Sequence, residues 1–255
     1  MSELECLREC GTIHKQIKHD LKDYIKPGMK VIDIVNYIEN NINDKIGYNS
    51  KKHLECGVAF PTGFSINNCA AHWTPEVDDN TILGVEDIVK IDFGIHKNGY
   101  IIDSAYTHAF NDNYKNLIEA SKEANRIAIK NSGVDVILGE LGKDIKEVIE
   151  SYEETIKNRV YKIKPVRDLT GHSISRYKIH AGNSVPNIHI PFYQEKMKDG
   201  EIYAIEPFAT TGKGNVYSDT SNCSHYMIDR LNMSDTRLNS NDKNFINISI
   251  SNVHI

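Results

Sequence analysis

Two aspartates, Asp92 and Asp103, flank Asn98-Gly99 in the run Val89-Lys90-Ile91-Asp92-Phe93-Gly94-Ile95-His96-Lys97-Asn98-Gly99-Tyr100-Ile101-Ile102-Asp103. Asn-Gly between β-branched and aromatic residues is a strong short-range hairpin signal. A two-residue loop there sets Asp92 opposite Ala105, with Asp103 two residues along the same strand. Alternation with period two then points both carboxylates to one side, diagonally adjacent. Two acids on a buried sheet face repel and lose hydration, so the pair needs a proton, a cation or a metal. Further ligand candidates follow: His172 in Leu169-Thr170-Gly171-His172-Ser173, and Glu206 in Tyr203-Ala204-Ile205-Glu206-Pro207-Phe208. Three oxygens and a nitrogen suit a hard-to-borderline divalent ion such as Mn, Co, Fe or Zn. Such an ion acidifies water and polarises a carbonyl, the chemistry of amide hydrolysis. Each residue also has an ordinary reading, as turn cap, loop histidine or exposed edge acid, and the spacing alone does not name an enzyme.

The elements that must position these groups follow from periodicity. Residues 3 to 25 read as a helix with Leu4, Leu7, Ile13, Ile17, Leu21 and Tyr24 on one stripe, stopped by Pro27-Gly28. A second helix carries Ile34, Val35, Ile38, Ile42 and Ile46. Loop and strand signals fill 54 to 75, and the aspartate hairpin comes next. Residues 114 to 131 look helical, and a further helix runs from about 140 to 157 on Ile145, Val148, Ile149, Tyr152 and Ile156. A helix, a glycine turn, a valine-rich step and a second helix thus occur twice, around Gly28 and around Gly133, a weak hint of duplication. Strands and turns alternate from Val160 to Phe208. Residues 228 to 255 are rich in Asn, Ser and Asp and read as a disordered tail in which Phe245–Ile250 alternates like a strand.

With 255 residues, one large domain or two small ones fit, and a net charge of -5 gives no global reason to expect nucleic acid or an acidic membrane as partner. No apolar run is long enough to span a bilayer, and the start lacks a signal-peptide core. The five cysteines read as reduced thiols. The expectation is a soluble cytoplasmic protein.

Six separated segments fall in one order: Val58–Gly63, Asn67–Pro75, Lys90–Gly94, Gly171–Ile174, Ile179–Gly182 and Ala204–Phe208. Together they resemble type 2 methionine aminopeptidase over about residues 5 to 227. The resemblance implies an α+β "pita-bread" (creatinase/aminopeptidase) fold with pseudo-twofold αβ halves around a dinuclear metal site. It implies Asp92, Asp103, His172 and Glu206 as metal ligands, and His72 and His180 as the catalytic, substrate-contacting histidines. It implies Phe60, Ile179 and His225 as lining of an apolar pocket for a methionine side chain. The implied reaction removes the initiator methionine from nascent polypeptides with a small second residue, with the ribosome as a further partner to consider and a monomer as the working state. Prolidase and aminopeptidase P share the fold but usually carry an extra N-terminal domain, for which there is little room before Asp92.

One departure stands out. The family places a bridging glutamate near its C-terminus, after a helical insertion, whereas Glu206 is the last glutamate here. The insertion, expected just after Met227, is missing. The expectation is a domain of residues 1–227 with an incomplete C-terminus. It would hold at most one metal well, through Asp103, His172 and Glu206, leaving Asp92 and a shared Asp103 as a weak second site. The methionine pocket would be partly open. A truncated product, a short form of reduced activity and a non-catalytic binding module of the same fold, like the proliferation-associated relatives, all remain open.

Overall fold

The computed structural model describes residues 1–218 together with Ser224 and His225. The expected tail, and the boundary between residues 227 and 228, lie outside the described residues. The first half begins with α1 (Glu3–Tyr24) and α2 (Val31–Ile46), followed by β1 (Cys56–Val58), β2 (Gly63–Ile66), β3 (Ile88–Lys97) and β4 (Tyr100–Ala109). Ser2 and Glu5 form a capping box that closes the start of α1. The chain leaves α1 at Ile25, two residues before Pro27, and Gly47 takes the left-handed conformation that ends α2. β3 is the central strand, antiparallel to β1 and β2 on one edge and to β4 on the other. Lys97 pairs with Tyr100 and both Asn98 and Gly99 have positive φ, so the two-residue turn forms as expected.

The predicted stripe of α1 is corrected in part: Ile17 and Leu21 are buried, and Ile13 and Tyr24 pack against the same core, as expected. Its buried face is Cys6, Cys10, His14, Ile17 and Leu21, while Leu4 is exposed. These five follow helical spacing as well as the leucines do; small thiols and one imidazole fit under β3 and β4, and bulkier side chains were ranked above them on hydrophobicity alone. The α2 stripe is buried as read.

The second half holds α3 (Lys115–Asn131), α4 (Leu138–Glu150), β5 (Glu153–Ile156), β6 (Arg159–Lys162), β7 (Lys164–Pro165), β8 (Thr170–Ile174), β9 (Ser184–Pro186), β10 (Ile202–Ala204) and β11 (Ala209–Thr210). The helix read to 157 stops at Glu150, and Ile156 belongs to a β5–β6 hairpin. Lys157 and Asn158 both have positive φ, the backbone of a tight hairpin turn, which the apolar spacing did not reveal. β8 is the central strand of a three-stranded sheet between β10 and β9, and β11 pairs with β7. Ala120, Ala124 and Ala128 let α3 share a core with Leu138, Leu141, Ile145 and Ile149 of α4. The other side of α4 meets backbone: a Cβ on Gly142 would lie 2.1 Å from the Ile188 carbonyl oxygen.

The halves repeat one another in detail. In the first, Lys30 bridges Ile82, Leu83 N–H donates to Met29 O, and Val31 N–H donates to Thr81 O. In the second, Ile137 bridges Lys196, Met197 N–H donates to Val136 O, and Leu138 N–H donates to Glu195 O. Asp92 follows Leu83 at the same separation at which Glu206 follows Met197. The duplication hinted at by the glycine turns is therefore structural, and it places one carboxylate at the same point of each half. A small cluster joins them: Ala59 and Ile101 from the first half, Ile174 and Ala204 from the second, with Phe60, Ile179 and Ile202 packed against it.

Candidate metal centre

Each candidate ligand is set by a strand. In β3, Asp92 pairs with Ala105, and Gly94 with Asp103 in β4, the expected register. His172 sits in the middle of β8, paired with Ala204 of β10. Glu206 follows two residues after β10 ends. The two sheets bring His172 Nε2 to 3.4 Å from Asp103 Oδ2 and 3.1 Å from Glu206 Oε1. One ligand atom from each of these three residues lies within 4.8 Å of the others. Asp92 stands outside this trio, with a buried Oδ1 that has no hydrogen-bond partner.

The electrostatics show what the cluster wants. Burial pushes the Asp92 carboxyl well above the usual carboxylate range, and the charges of Asp103 and Glu206 push the same way. Burial raises Glu206 by more than its hydrogen bond with His172 lowers it. At His172, burial pulls the imidazole down, but hydrogen bonds to Asp103 and Glu206 outweigh it and carry the ring up to about 10. An imidazolium here does the work of a cation among carboxylates. The donor set, nitrogen plus carboxylate oxygens around one point, fits a divalent ion, which would take over that neutralisation.

Three more histidines surround the cluster. The chain turns at Arg176-Tyr177, Ser175 bridges Lys178, and Ala181 N–H donates to Ser173 O. This brings His180 back along β8, with its ring edge-on to His172 at 4.3 Å between centroids. His72, at a left-handed φ of 62°, lies on the loop that returns over β2, where Phe64 N–H donates to Trp73 O. Burial lowers both His72 and His180, and the nearby His172 charge adds to it at each, against Asp103. His225 stacks on His72 at 5.5 Å. Its Nε2 is 2.6 Å from Thr74 Oγ1, and that hydroxyl donates to Thr62 O at 2.8 Å. The hydroxyl proton is thus committed, so His225 Nε2 is the donor. Phe60 and Ile179, the predicted pocket residues, pack on the cluster with Ile101, whose side chain shares the Asp103 face of β4.

Sequence reasoning missed two positioning residues. His14 of α1 reaches under the hairpin, where its Nε2 lies 3.1 Å from Phe93 O and 3.0 Å from Ser104 O and its ring stacks on Phe93 at 3.9 Å. It therefore fastens the residues next to both aspartates. Its place four residues after Cys10 was the available signal. Thr74, which accepts from His225 on its hydroxyl and whose N–H donates to Ser224 Oγ at 2.7 Å, gave none.

This centre lies in a fold that other proteins share. A model of metallopeptidase family M24 matches residues 5–230, and the chain belongs to that family. Within it, the chain is 48% identical over 221 residues to methionine aminopeptidase 2A of Arabidopsis thaliana, covering 87% of this chain and 49% of that protein. It is 45% identical over 219 residues to methionine aminopeptidase 2 of Komagataella phaffii, covering 86% and 48%. The chain thus spans about half the length of these curated relatives. The fold matches the crystal structure of a methionine aminopeptidase from Thermotoga maritima with a TM-score of 0.71 at 22% identity, over 89% of this chain and 87% of that one. It matches a prolidase from Pyrococcus furiosus with a TM-score of 0.60 at 19% identity, over 80% and 55%. The α+β pita-bread expectation therefore holds.

Proposed function

We propose that this chain is a metal-dependent aminopeptidase that removes the initiator methionine from nascent polypeptides with a small second residue. The observation that carries the reading is the convergence of Asp103, His172 and Glu206 at one point, with His72, His180 and an apolar wall beside it. Asp103, His172 and Glu206 would hold one divalent ion (Mn, Co, Fe or Zn), with Asp92 as the neighbouring carboxylate. When bound, the ion supplies a polarised scissile carbonyl and an acidified water.

The chain's own residues do the rest. Phe60, Ile179 and Ile101 offer an unbranched apolar side chain a narrow surface, which suits a thioether. His72 and His180, kept neutral by burial, can each donate one ring N–H toward a peptide carbonyl or accept a proton on the other nitrogen. His225, donating to Thr74, closes the His72 side of the pocket. The buried Asp92 oxygen has no hydrogen-bond partner, which leaves it available to a cation beside the trio. The free thiols of Cys6, Cys10, Cys56 and Cys69 agree with a reducing, cytoplasmic setting.

Substrate comparison tests the assignment. Methionine should be released from Met-Ala-Ser far faster than leucine from Leu-Ala-Ser, and slowly from Met-Trp-Ser. Equal rates on Met-Ala-Ser and Leu-Ala-Ser would reject the methionine pocket. A folded, metal-loaded chain that releases neither would support the alternative reading, a non-catalytic binding module of the same fold.

A further inference from the structure

In the second half, four cationic residues line a depression of about 270 Å³. Lys146 comes from α4, Lys164 from β7, Arg167 from the segment entering β8, and Lys213 from the turn after β11, with His189 and Glu150 completing the wall. Four permanent positive charges face one carboxylate, on a chain whose net charge is -5. Like charges gathered this way repel unless something anionic sits among them. Local carboxylates do not supply it. Glu150 reaches only Lys146, at 3.9 Å, and His189 is engaged by Glu140 at 2.9 Å. Among the described residues, no carboxylate comes within 4.0 Å of the Lys164, Arg167 or Lys213 side-chain nitrogens.

The walls are fixed by backbone. Val166 N–H donates to Phe208 O at 2.8 Å and Arg167 N–H to Gly214 O at 2.9 Å, which clamps the Lys164–Arg167 segment to the Lys213 turn. Gly214 takes φ of 83°, and a Cβ there would meet the Pro165 carbonyl oxygen at 2.8 Å. On the other side Gly142 lets Ile188, the neighbour of His189, sit directly on α4. The backbone that carries these residues is therefore set by main-chain contacts made before any ligand arrives, while the Lys164, Arg167 and Lys213 side chains are exposed and would be ordered on binding. The volume lies below the roughly 300–1,000 Å³ of pockets for organic ligands. It suits a compact anion carrying several charges.

We infer that this depression is an anion site for a compact phosphate-bearing ligand of the diphosphate class. Arg167, whose Nη2 donates to Lys213 O at 3.5 Å, keeps further guanidinium N–H groups for phosphate oxygens, and Lys146, Lys164 and Lys213 are point charges around it. Arg167 lies shortly before β8, and Lys213 shortly after the Glu206–Thr210 segment, so an anion here touches the distal ends of the two chain segments that carry His172 and Glu206.

Titration calorimetry with inorganic diphosphate on the full chain, with EDTA present to empty the metal centre, tests the inference. Saturable one-site binding is expected, weakened about tenfold or more by Arg167→Gln, the loss of a charge-assisted pair. Lys213→Gln should weaken it too, and Lys26→Gln should not; circular dichroism checks that each variant is folded. Asp103→Ala should leave binding unchanged. Absence of saturable binding in the parent chain overturns the inference. So does binding that survives both Arg167→Gln and Lys213→Gln, or that is lost in Asp103→Ala, which would place the anion at the metal centre. A single-stranded oligonucleotide that binds more tightly than diphosphate through the same residues would overturn the compact-ligand assignment.

Discussion

Asp103 is the residue on which the centre depends most, because it stands between the hairpin of the first half and the His172 strand of the second. Asp103→Ala removes one of three candidate ligands that meet at one point and should weaken Mn binding by about 100-fold or more, at or beyond the roughly 10–100-fold that losing a ligand's outer partner costs. Lys157→Ala, at an exposed hairpin turn, should leave it unchanged; calorimetry reads both. His14 gives a second test. Burial pulls its imidazole from 6.5 down to about 4. As pH falls, the unfolded chain takes up the proton first. The stability this group confers is therefore complete above 6.5 and is lost between 6.5 and 4, by about 3 kcal/mol in all. Urea denaturation at pH 7.5 and 4.5 should show His14→Gln losing about 2.5 kcal/mol less than the parent chain, since the change is not complete at pH 4.5; an identical loss would contradict the role given to His14. At this scale the sequence was most legible where chemistry and turn signals coincide. Asn98-Gly99 sets the register that puts Asp92 opposite Ala105, whereas His14 was hidden because an imidazole on a helix reads as a surface residue.

At the scale of elements, close approach decides what each can tolerate. A Cβ on Gly94 would lie 2.2 Å from Phe60 Cε1. Gly94→Ala should therefore displace the Phe60 ring from the pocket and cost about 1–3 kcal/mol of stability, as overpacking does. Much of that loss should vanish on a Phe60→Ala background; a double-mutant cycle with no coupling would show that the ring does not fill this space. Gly142→Ala differs, because it meets the Ile188 carbonyl, which is backbone and has no rotamer to yield. It should be the more damaging of the two in urea denaturation, and no side-chain truncation should rescue it. Helices α2 and α3 and the β3–β4 hairpin were readable because their periods are unbroken. The end of α4 was not, because the apolar positions carry helical spacing straight into a hairpin whose turn, Lys157-Asn158, has no glycine to mark it.

At the scale of the whole molecule, two αβ halves each bring a carboxylate to the same structural position, Asp92 and Glu206, and the centre forms where the halves meet. The duplication was only faintly legible in two glycine turns, since the matching contacts are backbone hydrogen bonds that accept almost any side chain. The meeting of His72, His180 and His225 was visible only through family resemblance, because loops as far apart as 72 and 225 carry no shared period. The most direct test of the account is methionine release from Met-Ala-Ser by the 255-residue chain as Mn is titrated in. Turnover that rises with occupancy of an ion site and is eliminated by Asp103→Ala is the predicted result. Turnover that is independent of added or chelated metal, or that persists in Asp103→Ala, would contradict the assignment of Asp103, His172 and Glu206 as the working centre.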